Sequence, residues 1–154
     1  MSAQDGEQAI ELLREKFPDA TVDAGSHRSQ HWAEVKRDRL VRICEWLRDD
    51  PATSFDFLVD VTAVHWPDDA EPMELVYHLY SYSRNDRLRL KVRVGNDGSA
   101  PTLSRLWRSA DWNERETLDM FGIGFDDHPD PRRILMPEEY TDHPLRKEFP
   151  LYRG

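Results

Sequence analysis

The chain has 154 residues, a net charge of −9 from 21 Lys plus Arg against 30 Asp plus Glu, and a hydrophobic fraction of 38% that includes five Trp, five Tyr and six Phe; this suits one folded domain with appendages and excludes a disordered, highly charged coil. The acidic balance argues against nucleic acid or anionic lipid as direct partners, no run approaches the roughly 20 apolar residues of a spanning helix, and the start lacks a secretory pattern, so a cytosolic chain is expected. The single cysteine, Cys44, excludes an internal disulfide and cannot supply the four thiolates of an iron–sulfur cluster.

From Gly6 to Phe17, the residues Ala9, Ile10, Leu13 and Phe17 fall near one side of a 3.6-residue period and Pro18 follows, which predicts an amphipathic helix. Between Thr21 and Val35 the pattern is mixed, with loop residues Gly25 and Ser26 before a short strand at Ala33–Val35. Leu40, Ile43, Cys44 and Leu47 then mark the buried stripe of a second helix that ends before Pro51. Cys44 therefore reads as a small core hydrophobe, with nothing basic or glycine-rich nearby to activate its thiol.

Three strand-like runs follow: Phe55–Val64, alternating through Phe57, Val59, Val61 and Ala63; Met73–Ser83, through Leu75, Tyr77 and Leu79; and Leu88–Val94, through Leu88, Leu90, Val92 and Val94. The last two are joined by Arg84-Asn85-Asp86 into an antiparallel hairpin. Its second strand carries Arg87, Arg89, Lys91 and Arg93 on the other face. A solvated sheet face is the ordinary meaning of such a row, and a docking surface for an acidic neighbour is the sharper one. After the turn Gly95–Gly98, Thr102 is placed to cap a short helix bearing Leu103, Leu106 and Trp107, and a further helix begins near Asp111 or Asn113, each with a Glu three positions on, and closes at Gly122. These elements predict an α+β fold, helices packed on a mostly antiparallel sheet, over residues 1–124.

Residues 125–154 differ in character. Pro129, Pro131, Pro137, Pro144 and Pro150 forbid a long helix or central strand, yet Ile134, Leu135, Met136, Tyr140, Leu145, Phe149, Leu151 and Tyr152 are more apolar than a linker carries. An extended proline-rich C-terminal tail that packs on its own sheet or on a partner is expected. Gly122-Ile123-Gly124 lacks the preceding strand and following helix of a nucleotide fingerprint and reads as a helix cap with a tight turn. Asp126, Asp127, His128, Asp130, Asp142 and His143 form the one cluster with metal-ligand chemistry. Each His precedes a proline in extended chain, so the favoured reading is an imidazole bonded to backbone carbonyls. A free-standing metal-dependent hydrolase built on the two Asp-His-Pro segments is the alternative.

Glu114-Arg115-Glu116 and Asp119 crowd one helical region, with Arg115 and Asp119 at i, i+4, while Trp112, Leu118, Met120 and Phe121 require part of it to face inward. Inward carboxylates need partners, for which Arg132 and Arg133 are the nearby candidates. No nucleophile with an adjacent base accompanies them, so no catalytic site is assigned.

The run from Glu114 to Ile123, with Asp119, Met120 and Phe121, followed by Phe125, His128-Pro129-Asp130-Pro131-Arg132-Arg133 and Ile134-Leu135, resembles the signature of the C-subunit, or thirty-kilodalton, family of respiratory complex I. The similarity extends to Met136-Pro137-Glu138, to Pro144-Leu145-Arg146-Lys147-Glu148-Phe149, and back through Val76–Ser81 to Phe55–Leu58, about two thirds of the chain. Asp127 stands where the family has Gly, and His65 and Glu148 where it often has Asp. The resemblance implies a cofactor-free structural subunit of the peripheral arm of a proton-translocating NADH:quinone oxidoreductase, on the cytoplasmic face of the membrane and touching it only through the complex. It implies packing beside the larger D-subunit, which helps form the quinone site, and beside neighbouring iron–sulfur subunits, with flavin, clusters and quinone held by those partners. It further implies that Glu114, Arg115, Glu116, Asp119, His128, Pro129, Asp130, Arg132 and Arg133 serve structure, and that Leu135, Pro144, Leu145, Arg146, Lys147 and Phe149 dock on a partner. Equivalent subunits of hydrogenase and F420-linked complexes share the family.

Overall fold

The computed structural model describes residues 6–27, 30–95 and 98–129. In chain order these form α1 (Glu7–Lys16), β1 (Thr21–His27), β2 (Gln30–Val35), a single 3-10 turn (Arg37–Arg39), α2 (Leu40–Asp49), β3 (Phe57–His65), β4 (Met73–Ser81), β5 (Asp86–Val94), β6 (Ser99–Pro101), α3 (Ser109–Phe121) and β7 (Gly124–Asp126). Five strands make one sheet in the order β1-β2-β5-β4-β3, antiparallel except for the parallel β2–β5 pair. The expected α+β architecture is present, with the sheet's inner face and the helices enclosing one core.

The helices follow their apolar periods. α1 buries Ala9, Ile10 and Leu13, and α2 buries Leu40, Ile43, Cys44 and Leu47. Gly6, at φ +84°, starts α1 by donating its N–H to the Asp86 carboxylate at 2.8 Å, which fastens the helix to the mouth of the β4–β5 hairpin. Among the described residues no helix is long and apolar enough to cross a membrane.

Several sequence expectations are corrected. Gly25 and Ser26 are strand residues, not loop: β1 lacks apolar alternation because it is an edge strand, and Gly25 leaves room for the Trp32 ring, which a Cβ would meet at 2.9 Å. The alternation of β3 breaks at a bulge between Leu58 and Asp60, so Leu58, Val61 and Ala63 face the core while Phe57 and Val59 face solvent. The β4–β5 loop runs over Tyr82–Asn85, and Asp86 already pairs with Ser81. Thr102 begins a turn, not a helix, although its Oγ1 does accept the Ser104 N–H at 3.2 Å as a cap would. α3 starts at Ser109, so Asp111 and Asn113 lie inside its first turns and cap nothing. Gly122 closes α3 in the left-handed conformation at φ +77°, as the sequence predicts.

The free edge of β3 is covered by α3 and the turn leading into it. Trp107 Nε1 donates to the Phe55 carbonyl at 3.1 Å, Ser109 Oγ to that of Leu58 at 2.6 Å, and Thr117 Oγ1 to that of Val61 at 3.1 Å. These side chains occupy acceptors that an unprotected edge would offer to another chain.

Candidate functional site

Parallel strands cannot be joined by a hairpin, so the two-stranded sheet of β6 and β7 uses α3 as its crossover. The backbone N–H of Thr102 donates to the Asp126 carbonyl at 3.0 Å, and Ser99 Oγ donates to Asp126 Oδ1 at 2.8 Å. Phe125 and Asp126, grouped by sequence with the tail, are thus strand residues of the folded body. The pairing brings the start of the turn after β6, the first turns of α3 and the segment after β7 to one place.

Glu114 lies at that place with none of its surface exposed. The Thr102 hydroxyl donates to its Oε1, and the backbone N–H of Leu103 donates to Oε2 at 2.8 Å. Burial pushes this carboxyl up to about 7, the bonds from Leu103 and Thr102 pull against that, and the nearby Asp111 carboxylate adds to the rise. It therefore keeps its proton to a higher pH than a solvent-exposed Glu does.

His128 seals one side. Asp127, at φ +64°, turns the chain so that the imidazole, 2% exposed, lies against the first turn of α3. Nε2 lies 3.0 Å from the Asp111 carbonyl, 3.3 Å from Asp111 Oδ1 and 3.8 Å from Glu114 Oε1. The contact with the Asp111 carbonyl matches the reading of this histidine as one that bonds backbone. Among the described residues no three His, Cys, Asp or Glu side chains gather to hold a metal ion; Asp142 and His143 lie outside those residues.

Two further groups feel the Glu114 charge. The Cys44 thiol, fully buried on α2, and the Tyr77 phenol, fully buried on β4, are both pushed up, first by burial and then by Glu114. The Tyr77 hydroxyl has no hydrogen-bond partner among the described residues. The polar cluster is therefore set into the main core, where a thiolate or phenolate is strongly disfavoured and neither group can act as a nucleophile near neutral pH.

Of the residues marked by sequence, Glu114 and Asp119 are fully buried and His128 is seated on α3, while Glu116 and Pro129 are exposed. Arg115 is half-buried with its guanidinium 5.9 Å from the centre of the Trp112 ring. The buried residues of α3 are Ala110, Glu114, Thr117 and Asp119, with Phe121 packed half-buried against the core, whereas Trp112 is 55% exposed, so two carboxylates share the inward face. Asp130, Arg132, Arg133, Leu135, Pro144, Leu145, Arg146, Lys147 and Phe149 lie outside the described residues. Sequence reasoning missed Thr102 and Thr117 as partners of this face. The spacing of Ala110, Glu114 and Thr117 at i, i+4 and i+7 was the signal for a small and polar inward stripe.

The arrangement can store a proton and fasten three segments together; among the described residues it presents no nucleophile and base on an open cleft. The family model described as "Respiratory-chain NADH dehydrogenase, 30 Kd subunit" matches residues 33–153. The NADH-quinone oxidoreductase C-subunit of Roseiflexus sp. (strain RS-1) is 42% identical over 150 residues, 97% of this chain and 86% of that protein. The C-subunit of the same enzyme from Maricaulis maris (strain MCS10) is 47% identical over 118 residues, 77% of this chain, and the match spans only 59% of that relative's length. Among solved structures, a chain of the membrane-bound sulfane sulfur reductase, an archaeal respiratory membrane complex, superposes with a TM-score of 0.75 and 26% identity, covering 95% of this chain and 86% of that one.

Proposed function

The chain belongs to the respiratory-chain NADH dehydrogenase 30 kDa subunit family, and on that premise we propose that it is a scaffold subunit of the peripheral arm of a proton-translocating NADH:quinone oxidoreductase, without a cofactor or catalytic centre of its own. One observation supports the scaffold role above others: Glu114, the first acid of the family signature, is wholly enclosed, and both of its oxygens are held by Thr102 and Leu103 of the same chain. A group so placed holds a fold together; it does not meet a substrate. The scaffold packs beside the quinone-site D-subunit and iron–sulfur-bearing neighbours, which carry the flavin, clusters and quinone. Leu135, Pro144, Leu145, Arg146, Lys147 and Phe149 supply docking contacts, and the complex keeps the chain on the cytoplasmic face of the membrane.

The likeness to the sulfane sulfur reductase chain supports a second reading, the same scaffold in a related complex with another electron donor or acceptor. Native purification through a tag on this chain separates the two. Co-purifying NADH-quinone oxidoreductase subunits and NADH-dependent quinone reduction support the first; hydrogenase-type or sulfur-reducing partners support the second. An iron–sulfur or flavin spectrum in the chain made alone contradicts both. Stoichiometric metal whose removal unfolds the chain revives the hydrolase alternative, which the family match does not favour. Trypsin adds a local test: cleavage at Arg132, Arg133, Arg146 or Lys147 in the free chain, and protection in the complex, is the pattern a docking segment gives.

A further inference from the structure

The outer face of the five-stranded sheet, opposite the helices, carries a concavity of about 560 Å³ whose lining includes Phe57, Val59, Tyr80, Tyr82, Arg87 and Arg89. Three of the seven large hydrophobic side chains exposed among the described residues meet here: Phe57 at 38%, Val59 at 48% and Tyr82 at 64%. The bulge at Leu58/Asp60 turns the first two outward. The aromatic wall is ordered, with Tyr82 edge-on to Tyr80 at 4.9 Å between centroids and tilted against Phe57 at 5.9 Å.

The basic row of β5 divides at this point. At one end Arg93 is neutralised by Asp69 at 2.8 Å, Glu74 at 3.3 Å and Glu34 at 3.6 Å, while Lys91 lies 3.9 Å from Glu74 and over the Trp32 ring. At the other end no carboxylate pairs with either cation among the described residues: Arg87 lies over the Tyr80 ring at 5.9 Å, and Arg89 donates to the neutral Gln30. Among the described residues, the one carboxylate lining the concavity, Asp60, is held by His78, and the Nδ1 atom of the adjoining His31 has no hydrogen-bond partner. A chain of net charge −9 thus places, beside exposed aromatic rings, two guanidinium groups with no carboxylate partner among the described residues, and these are the residue types enriched at the energetic centres of protein interfaces.

We propose that this concavity docks an acidic segment of a neighbouring subunit, which inserts one aromatic or long aliphatic side chain among Phe57, Val59 and Tyr82 and sets its carboxylates against Arg87 and Arg89. The inference rests on the reading of the chain as a subunit of a larger assembly. Charge complementarity selects this occupant: the bulk of this acidic chain repels an acidic partner everywhere except where local cations are unpaired.

The test uses the whole complex, purified with a photoreactive benzoylphenylalanine in place of Tyr82. Illumination should join it to a peptide of another subunit that has more Asp and Glu than Lys and Arg, with an aromatic or long aliphatic residue at the joined position. Attachment to residues 130–154 of this chain, to a second copy or to lipid, or no attachment, overturns the proposal. In parallel, the Arg87→Glu/Arg89→Glu double variant should enter the complex about tenfold less well than wild type, more so as salt falls, in keeping with the coupling of close charge pairs at interfaces. Arg42→Glu, an exposed change on α2, should enter normally, and both should melt as free chains like wild type. Normal entry of the double variant also overturns the proposal. Should even the unaltered chain fail to enter a complex, the subunit reading itself falls; entry with position 82 unattached removes only the docking site.

Discussion

The hydroxyl of Thr102, just past β6, donates to the carboxylate of Glu114 within α3, and because the Leu103 N–H donates to the second oxygen, both oxygens of that carboxylate accept from the turn preceding its own helix. Its proton nevertheless remains an open variable near neutral pH.

The folded chain holds the Glu114 proton up to about pH 7 whereas the unfolded chain releases it near 4.5. Between those values the folded state binds more protons, so this group's contribution is full below about 4.5 and is lost as pH rises through 7. At roughly 1.4 kcal/mol per pH unit the loss totals about 3 kcal/mol. Urea unfolding between pH 4.5 and 8 should show wild type losing stability relative to Glu114→Gln, whose amide does not titrate. Parallel profiles for the two proteins would show that the carboxyl ionises normally.

Ser109 and Thr117 donate to carbonyls of the edge strand β3. Removing each bond, as in Ser109→Ala or Thr117→Val, should cost about 0.5–1.5 kcal/mol in chemical unfolding. The double variant should also aggregate faster below its melting temperature, since strand acceptors are uncovered. Light scattering equal to wild type would count against edge protection.

Gly6 sits at φ +84°, and a Cβ there would lie 2.5 Å from the carbonyl oxygen of Arg87. Gly6→Ala should destabilise by more than the roughly 1–2 kcal/mol of left-handed strain alone. The atom met first is backbone, which cannot swing aside as the end of a side chain would. Hydrogen exchange should localise the loosening to α1 and the β4–β5 loop; a Tm unchanged from wild type would contradict the contact.

Cys44 is fully buried, and both burial and the Glu114 charge push its thiol up. A thiol-exchange reagent should react with the native chain only at the rate of unfolding, and stoichiometrically in denaturant. Prompt labelling of folded protein would mean that α2 opens locally.

Where one apolar stripe meets one core, the sequence predicts the structure closely: the buried apolar residues of α1, α2 and β5 are those its periods select. β1 is obscure because an edge strand needs no apolar alternation, and β3 changes phase because one extra residue at Leu58/Asp60 reverses which side chains face inward. The Glu114 site is the least legible. An Asp- and Glu-rich helix reads as a solvated surface, and the partners Thr102 and His128 are brought in only by the β6–β7 pairing, a contact that no local pattern encodes. The signature marks the segment without revealing that its first acid is a core residue.

The parallel β2–β5 pair bears on how the chain is made. β1 and β2 can close as a hairpin early in synthesis, but the strand that seats beside β2 begins only at Asp86. Until β5 leaves the ribosome, the edge of β2 opposite β1 has no strand to pair with. Closing so distant a pair is slow compared with local hairpins. Ribosome stalling before Val94 should therefore leave a protease-sensitive nascent chain, and release beyond that residue should let the whole sheet zip in one cooperative step.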